Sequence, residues 1–268
     1  MKPYSRTTCH LMPTLLLAGA CLLLVPPTMN TRAFADDAPS LVAQLLLQYR
    51  QIESVSCEVR RDILTPEGTI RWLSRVYYQT PDRLHAANAS PLPRLILSDG
   101  ETMYQHNAGQ PRGFRRALED LDETMRINLH RIPGTLMDHL LRIEHAPEIP
   151  LEPTADAPIR RAYETTSTYV VLEADEHNRL LRVNFFNTQD RNNPIGTIMC
   201  DAFEEVIPGV WIAMSHQISF RSGKNDIQER IRFSQYKANE QLPADIFNPD
   251  AFFPPAVEWV DSFDQLAK

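Results

Sequence analysis

The chain has 268 residues, 43% of them hydrophobic, with 34 acidic side chains against 27 basic ones. A net charge of −7 opposes nucleic acid and anionic membrane surfaces, which carry charge of the same sign. The length suits one β-rich domain behind a leader and leaves little room for a second domain.

The first residues read as an export leader. Lys2 and Arg6 precede an eleven-residue apolar run, Leu15 to Val25, and Ala33-Phe34-Ala35 offers small residues at the two positions a signal peptidase reads. Cleavage is expected between Ala35 and Asp36, leaving residues 36–268 as one mature domain bound for the periplasm. The cut removes Lys2, Arg6 and Arg32 and no acid, so the formal charge moves from −7 to −10. Two alternatives are an uncleaved membrane anchor and a lipoprotein cleaved before Cys21. The apolar run is short for a bilayer span, which needs about 20 residues. The apolar Leu22 to Val25 is an unusual sequel to a lipidated cysteine.

Residues 39–52 carry Leu41, Leu45, Leu46, Tyr49 and Ile52 at helical spacing, with Ser40 placed to cap the start. Strand patterns follow. Val55, Cys57, Val59 and Ile63 alternate with polar residues, and a turn at Pro66-Glu67-Gly68 leads to Ile70, Trp72, Val76 and Tyr78. After Thr80-Pro81-Asp82 come short strands at 83–88, 94–98 and 102–106, the last two joined at Asp99-Gly100. Leucines and methionines at three- and four-residue steps predict two short helices over 115–129 and 135–143, broken at Pro133-Gly134. The proline-rich stretch 146–158 reads as an exposed loop. Strands resume from Tyr163 or Tyr169 to Ala174, then at 180–187, 197–206, 211–221 and 227–236. A final helix is expected within 255–266. The fold class is mainly β: one long, strongly curved antiparallel sheet, with helices covering a concave face suited to an apolar ligand.

Beyond the leader, Cys57 and Cys200 lie in strand-like runs. Export permits a disulfide between them, and two buried free thiols are the alternative. No Cys-x-x-Cys pair, Gly-x-Ser-x-Gly, His-Glu-x-x-His or phosphate-binding glycine loop occurs. His139 and His145, six residues apart, do not share a helical face. Neither a metal, a cofactor nor a catalytic residue is expected.

Four features together resemble the outer-membrane lipoprotein carrier (LolA-like) superfamily. They are the N-terminal helix leading to a strand that ends at a turn before Gly68, the aromatic strand ending at Thr80-Pro81-Asp82-Arg83-Leu84, the hairpin Leu97-Ser98-Asp99-Gly100-Glu101-Thr102-Met103-Tyr104, and the closing run from Gly209-Val210-Trp211-Ile212 to Asn239-Glu240-Gln241-Leu242-Pro243-Ala244-Asp245-Ile246-Phe247. The resemblance spans about Leu41 to Phe253. It implies an incomplete antiparallel barrel with a helical lid, and an apolar cavity between them for an acyl chain or a lipidated protein. The apolar candidates for such a cavity are Trp72, Val76, Tyr78, Leu136, Met137, Leu140, Phe185, Met199, Trp211 and Met214. Family carriers latch the lid with an arginine directly before the turn proline. Thr80 stands there in this chain, and Arg75 and Arg83 are the nearest alternatives. The same fold also serves envelope sensors that use it to meet a protein partner without lipid.

Overall fold

We describe residues 39–266 of a computed structural model, apart from residues 130, 223 and 224. The expected leader and its cleavage site at Ala35-Asp36 lie outside the described residues.

Helix α1 runs Leu41–Tyr49, and the Ser40 hydroxyl accepts from the Ala43 N–H at 3.1 Å. That bond satisfies one of the unpaired donors of the first turn. Leu41, Val42, Leu45, Leu46 and Tyr49 are all buried against the sheet. Glu148 fixes the start of the helix. Its carboxylate accepts from the Leu41 N–H at 2.8 Å, from Arg161 Nε at 3.0 Å and from the Tyr163 hydroxyl.

Fourteen strands form one sheet. In chain order they are β1 Ser54–Thr65, β2 Gly68–Gln79, β3 Arg83–Ser90, β4 Arg94–Asp99, β5 Thr102–Asn107, β6 Arg112–Ala117, β7 Glu148–Pro150, β8 Ile159–Glu164, β9 Thr168–Ala174, β10 Leu180–Asn187, β11 Gly196–Ile207, β12 Val210–Ser222, β13 Asn225–Ala238 and β14 Glu258–Val260. Two antiparallel meanders, β1 to β6 and β7 to β13, join where β1 pairs with β13, as in Val59 opposite Phe233. The sheet begins at β14 and ends at β7 without closing, so it is a strongly curved, incomplete barrel. The expected fold class stands.

Three local expectations are corrected. The helix expected over 115–129 begins later: Arg112–Ala117 pairs with β5, and α2 covers only Glu123–Leu129. The apolar three- and four-residue spacing starts only at Leu118, and Phe114 turns inward as a strand residue. Within the expected loop 146–158, Glu148–Pro150 forms the edge strand β7. The described tail makes no α-helix, only a 3-10 turn at Phe263–Gln265. It lays β14 parallel to β6, with Trp259 against Gly113, and then stacks Phe263 on Phe114 at a ring distance of 4.1 Å. This covers a sheet edge that would otherwise present unpaired backbone groups.

The main core lies on the concave face. It joins α1, the buried stretch Ile132 to Leu140 (His139 alone half-exposed) and the inward side chains of the sheet, among them Val55, Cys57, Val76, Leu172, Val183 and Ile198. Helix α3, Met137–Leu141, lies in this region, shorter than the expected 135–143.

Candidate functional site

The pleat puts every second residue of a strand on one face, so the paired registers identify the concave face along its length. Its proximal half carries Val55, Cys57, Val76, Tyr78, Cys200 and Met214, all buried beneath α1 and the segment 131–143. That segment acts as a plug. Leu136 and Leu140 are fully buried in it, and Gly134 makes the turn before α3 at φ +82. A β-carbon on Gly134 would stand 2.4 Å from Ile212 Cγ2, so glycine is needed for the space as well as for the angle.

The distal half is open. Continuing the same faces, Ile63 stands opposite Ile70, Ile218 opposite Ile198, and Phe220 opposite Ile227. Ile70 is 43% exposed, Ile227 40% and Phe220 37%, while Ile218, Phe185 and Phe233 pack on the margin of the core. These side chains form a trough continuous with the filled half. Phe220 leans on Phe185 at 5.9 Å between ring centres and covers Gly196, where a β-carbon would meet the Phe220 ring at 2.3 Å. The same face also carries charge, with Arg61 opposite Trp72 and Ile231, and Glu229 opposite Ile63 and Ile218. Arg61 forms a two-pronged pair with Glu229 at 2.7 and 2.9 Å, and the Arg94 guanidinium lies 5.4 Å from the centre of the Trp72 ring.

The ten apolar candidates divide among these regions. Val76, Tyr78, Leu136, Met137, Leu140 and Met214 come together, but as filling of the proximal core. Phe185 sits at the boundary, and Trp72 lies on the same face next to Ile70, opposite Arg61. Met199 and Trp211 are corrections. Met199 is 41% exposed between the buried Ile198 and Cys200, and Trp211 lies between the buried Val210 and Ile212 with Arg179 over its ring. Strand alternation therefore turns both away from the concave face. The trough residues Ile63, Ile70, Ile218, Phe220 and Ile227 were not among the candidates. Their signal was the continuation of period-two patterns to the far strand ends.

Cys57 and Cys200 are free buried thiols. They stand on β1 and β11, three strand steps apart through β13 and β12, or about 14 Å of sheet, whereas a disulfide needs Cα atoms within about 7 Å. Burial pushes both thiols up to about 12, which leaves them inert at neutral pH.

The two arginines nearest Thr80 are both engaged elsewhere. Arg75 pairs with Glu58, and Arg83 donates to the Asp99 carbonyl, so both are engaged away from the plug. Tyr236 of β13 donates its hydroxyl to the Pro133 carbonyl at 2.8 Å and ties the plug to the sheet. Burial pushes that phenol well above its ordinary range, so it remains a donor.

Polar groups also lie under the plug. Asp138 is buried, with its carboxylate 3.7 Å from Arg131 Nε and 3.6 Å from His139 Nε2. His216 of β12 is fully buried, and neither its ring nitrogens nor Asp138 Oδ1 makes a hydrogen bond among the described residues. Burial lowers His216 to about 4, and burial likewise lowers His139.

Cavities of about 540 and 490 Å³ open on the opposite face and share Ala87. The first is lined by Glu58, Arg60, Leu73 and Arg75, the second by Leu95, His106, Phe252 and Phe253.

With this geometry in view, comparisons place the architecture. No protein-family model matches the chain, and no curated protein sequence does either. A domain from Vibrio parahaemolyticus described as outer membrane lipoprotein-sorting superposes with a TM-score of 0.55 at 11% identity, over 78% of this chain and 98% of that one. A DUF1329 family protein from Desulfovibrio piger superposes with a TM-score of 0.53 at 13% identity, over 79% of this chain and 95% of that one. The chain has the LolA-like fold. At these identities the likeness is one of fold, and the site must be argued from this chain's own residues.

Proposed function

We propose that this is an exported envelope protein, without a catalytic centre, that holds an acyl chain or the lipid of a lipidated protein in the distal trough of its curved sheet. The observation that carries this reading is the exposed apolar row Ile70, Phe220 and Ile227 on a concave face otherwise covered by a plug. The leader read in residues 1–35 and the fold shared with a lipoprotein-sorting domain support the envelope location. Burying about eight methylenes would contribute on the order of 6 kcal/mol. That corresponds to a dissociation constant of tens of micromolar, weak enough for cargo to be passed on.

A second reading is an envelope sensor or protein-interaction domain that carries no lipid. It is favoured by the packed proximal half, where side chains of α1 and the plug occupy the space a carrier cavity would need.

Native mass spectrometry of the full chain, expressed with its leader and purified from a periplasm, separates the two. Bound lipid that disappears in a Phe220→Asp/Ile227→Asp variant supports the first reading. Lipid-free protein that also fails to bind a fluorescent fatty acid supports the second.

A further inference from the structure

The plug meets the sheet through groups that a packed core does not normally leave unpaired. His216 projects from β12 onto the concave face, opposite Cys200 on β11 and Ile231 on β13. The plug faces it with Arg131, Asp138 and His139, and the Phe233 ring packs against it at 5.3 Å. On β13 the nearest charge along this face is Glu229, which Arg61 already holds. Thus an imidazole whose only polar neighbour in contact among the described residues, the Gly134 backbone, lies outside hydrogen-bond geometry feels the charge of a carboxylate with one oxygen unbonded, both deeply buried. Among the described residues Asp138 makes two charged contacts, to Arg131 and His139, both longer than a hydrogen bond.

We propose that His216 and the plug residues Arg131, Asp138 and His139 form a proton-operated latch: protonation of the buried imidazole releases segment 131–143 and extends the open trough into the proximal half. This goes beyond lipid binding and does not depend on it, since the released segment is the readout.

The physical case rests on how the closed plug treats a proton. At neutral pH the imidazole is uncharged and fits an apolar site at tolerable cost. A proton delivered from solvent creates a cation with no water around it, and Arg131 adds repulsion. The Asp138 carboxylate and the Gly134 backbone favour the cation, but burial outweighs them and holds the group at about 4. Once the plug lifts, the ring is solvated and returns to its ordinary value near 6.5. The neutral form is therefore preferred by the closed state, and closure weakens as pH falls below about 6.5. The two values give an opening constant about thirtyfold larger at pH 5 than at pH 7.5. His139, also lowered by burial, pushes in the same direction. The plug is suited to move as a unit. It has a glycine turn at its start, a five-residue helix without a side-chain cap, and, among the described residues, one long-range hydrogen bond, from Tyr236, at Pro133.

Hydrogen exchange on the full chain, with protection corrected for intrinsic rates, tests this at pH 7.5 and 5.0. Protection over 131–143 is expected to fall about thirtyfold and, at both pH values, to lie well below that of the β1–β2 ladder. The His216→Gln variant should lose most of this pH response. A wild-type-sized response in that variant, or plug and ladder equally protected at each pH, overturns the latch. Should His216→Gln not fold, imidazole NMR of the wild-type chain decides. Support is a His216 signal that stays neutral until the plug opens. A ring that titrates near pH 6.5 with plug protection intact overturns the proposal.

Discussion

The two halves of the concave face are built by the same strands and differ only in what lies over them. β12 carries Ile212, Met214 and His216 under the plug and then Ile218 and Phe220 in the open, at the same two-residue step. Its 13 residues span about 44 Å, whereas the five-residue α3 covers about 8 Å. A long sheet with a short cover must leave apolar surface somewhere. Side-chain identity therefore does not separate core from site here; coverage does.

The sharpest way to probe that difference is to empty the covered half. Leu140→Ala removes a fully buried side chain from the plug and should cost about 3 kcal/mol in denaturant unfolding. The equivalent truncation in the trough, Ile227→Ala, should cost under about 0.5 kcal/mol, since Ile227 is already exposed.

Acid should also act on the covered half. His216 has its folded-state value depressed, to about 4, so its contribution is complete above the unfolded value near 6.5 and is lost as pH falls toward 4. Stability should decline by on the order of 3 kcal/mol across that window. Parallel unfolding titrations of the wild type and His216→Gln isolate the share of this one ring.

A smaller perturbation falls on the tie between plug and sheet. Tyr236→Phe leaves the Pro133 carbonyl without its donor and should cost about 1–2 kcal/mol, with hydrogen-exchange protection lost first over 131–143. A smaller effect again is expected from Gly196→Ala. The new methyl group meets the Phe220 ring, which sits at a partly exposed position and can swing away for about 0.5–1 kcal/mol while the trough changes shape. Phe220 mobility by NMR would register that change.

Much of the fold was legible because its signals are local. Helix α1 announced itself by Ser40 and the 41-45-46-49 spacing. The long strands showed as alternation bounded by Pro66-Glu67-Gly68, Thr80-Pro81-Asp82 and Asp99-Gly100. What escaped was set by distant partners. β6 is masked by its arginines and becomes a strand because β5 pairs with it. β14 exists only through its parallel contact with β6, more than 140 residues away. The site divided in the same way. Trp72, Val76 and Tyr78 were assigned correctly to one face, because alternation fixes the face. Met199 and Trp211 were drawn in by residue type although their buried neighbours occupy the inward positions. The trough residues could not be told from core residues, since the position of the plug is a tertiary fact. His216 was hidden for the same reason: within its strand it is one alternating residue, and its isolation comes from the segment packed over it.

The central claim is that the uncovered distal face is where ligand sits. Its most direct test is fluorescent fatty-acid binding to the wild type, to Phe220→Asp/Ile227→Asp, and to Met199→Asp on the opposite face. The account predicts that the trough variant loses about tenfold or more in affinity, the equivalent of at least 1.4 kcal/mol, while Met199→Asp binds as the wild type does. Equal affinity in all three proteins, or equal loss in both variants, would contradict it.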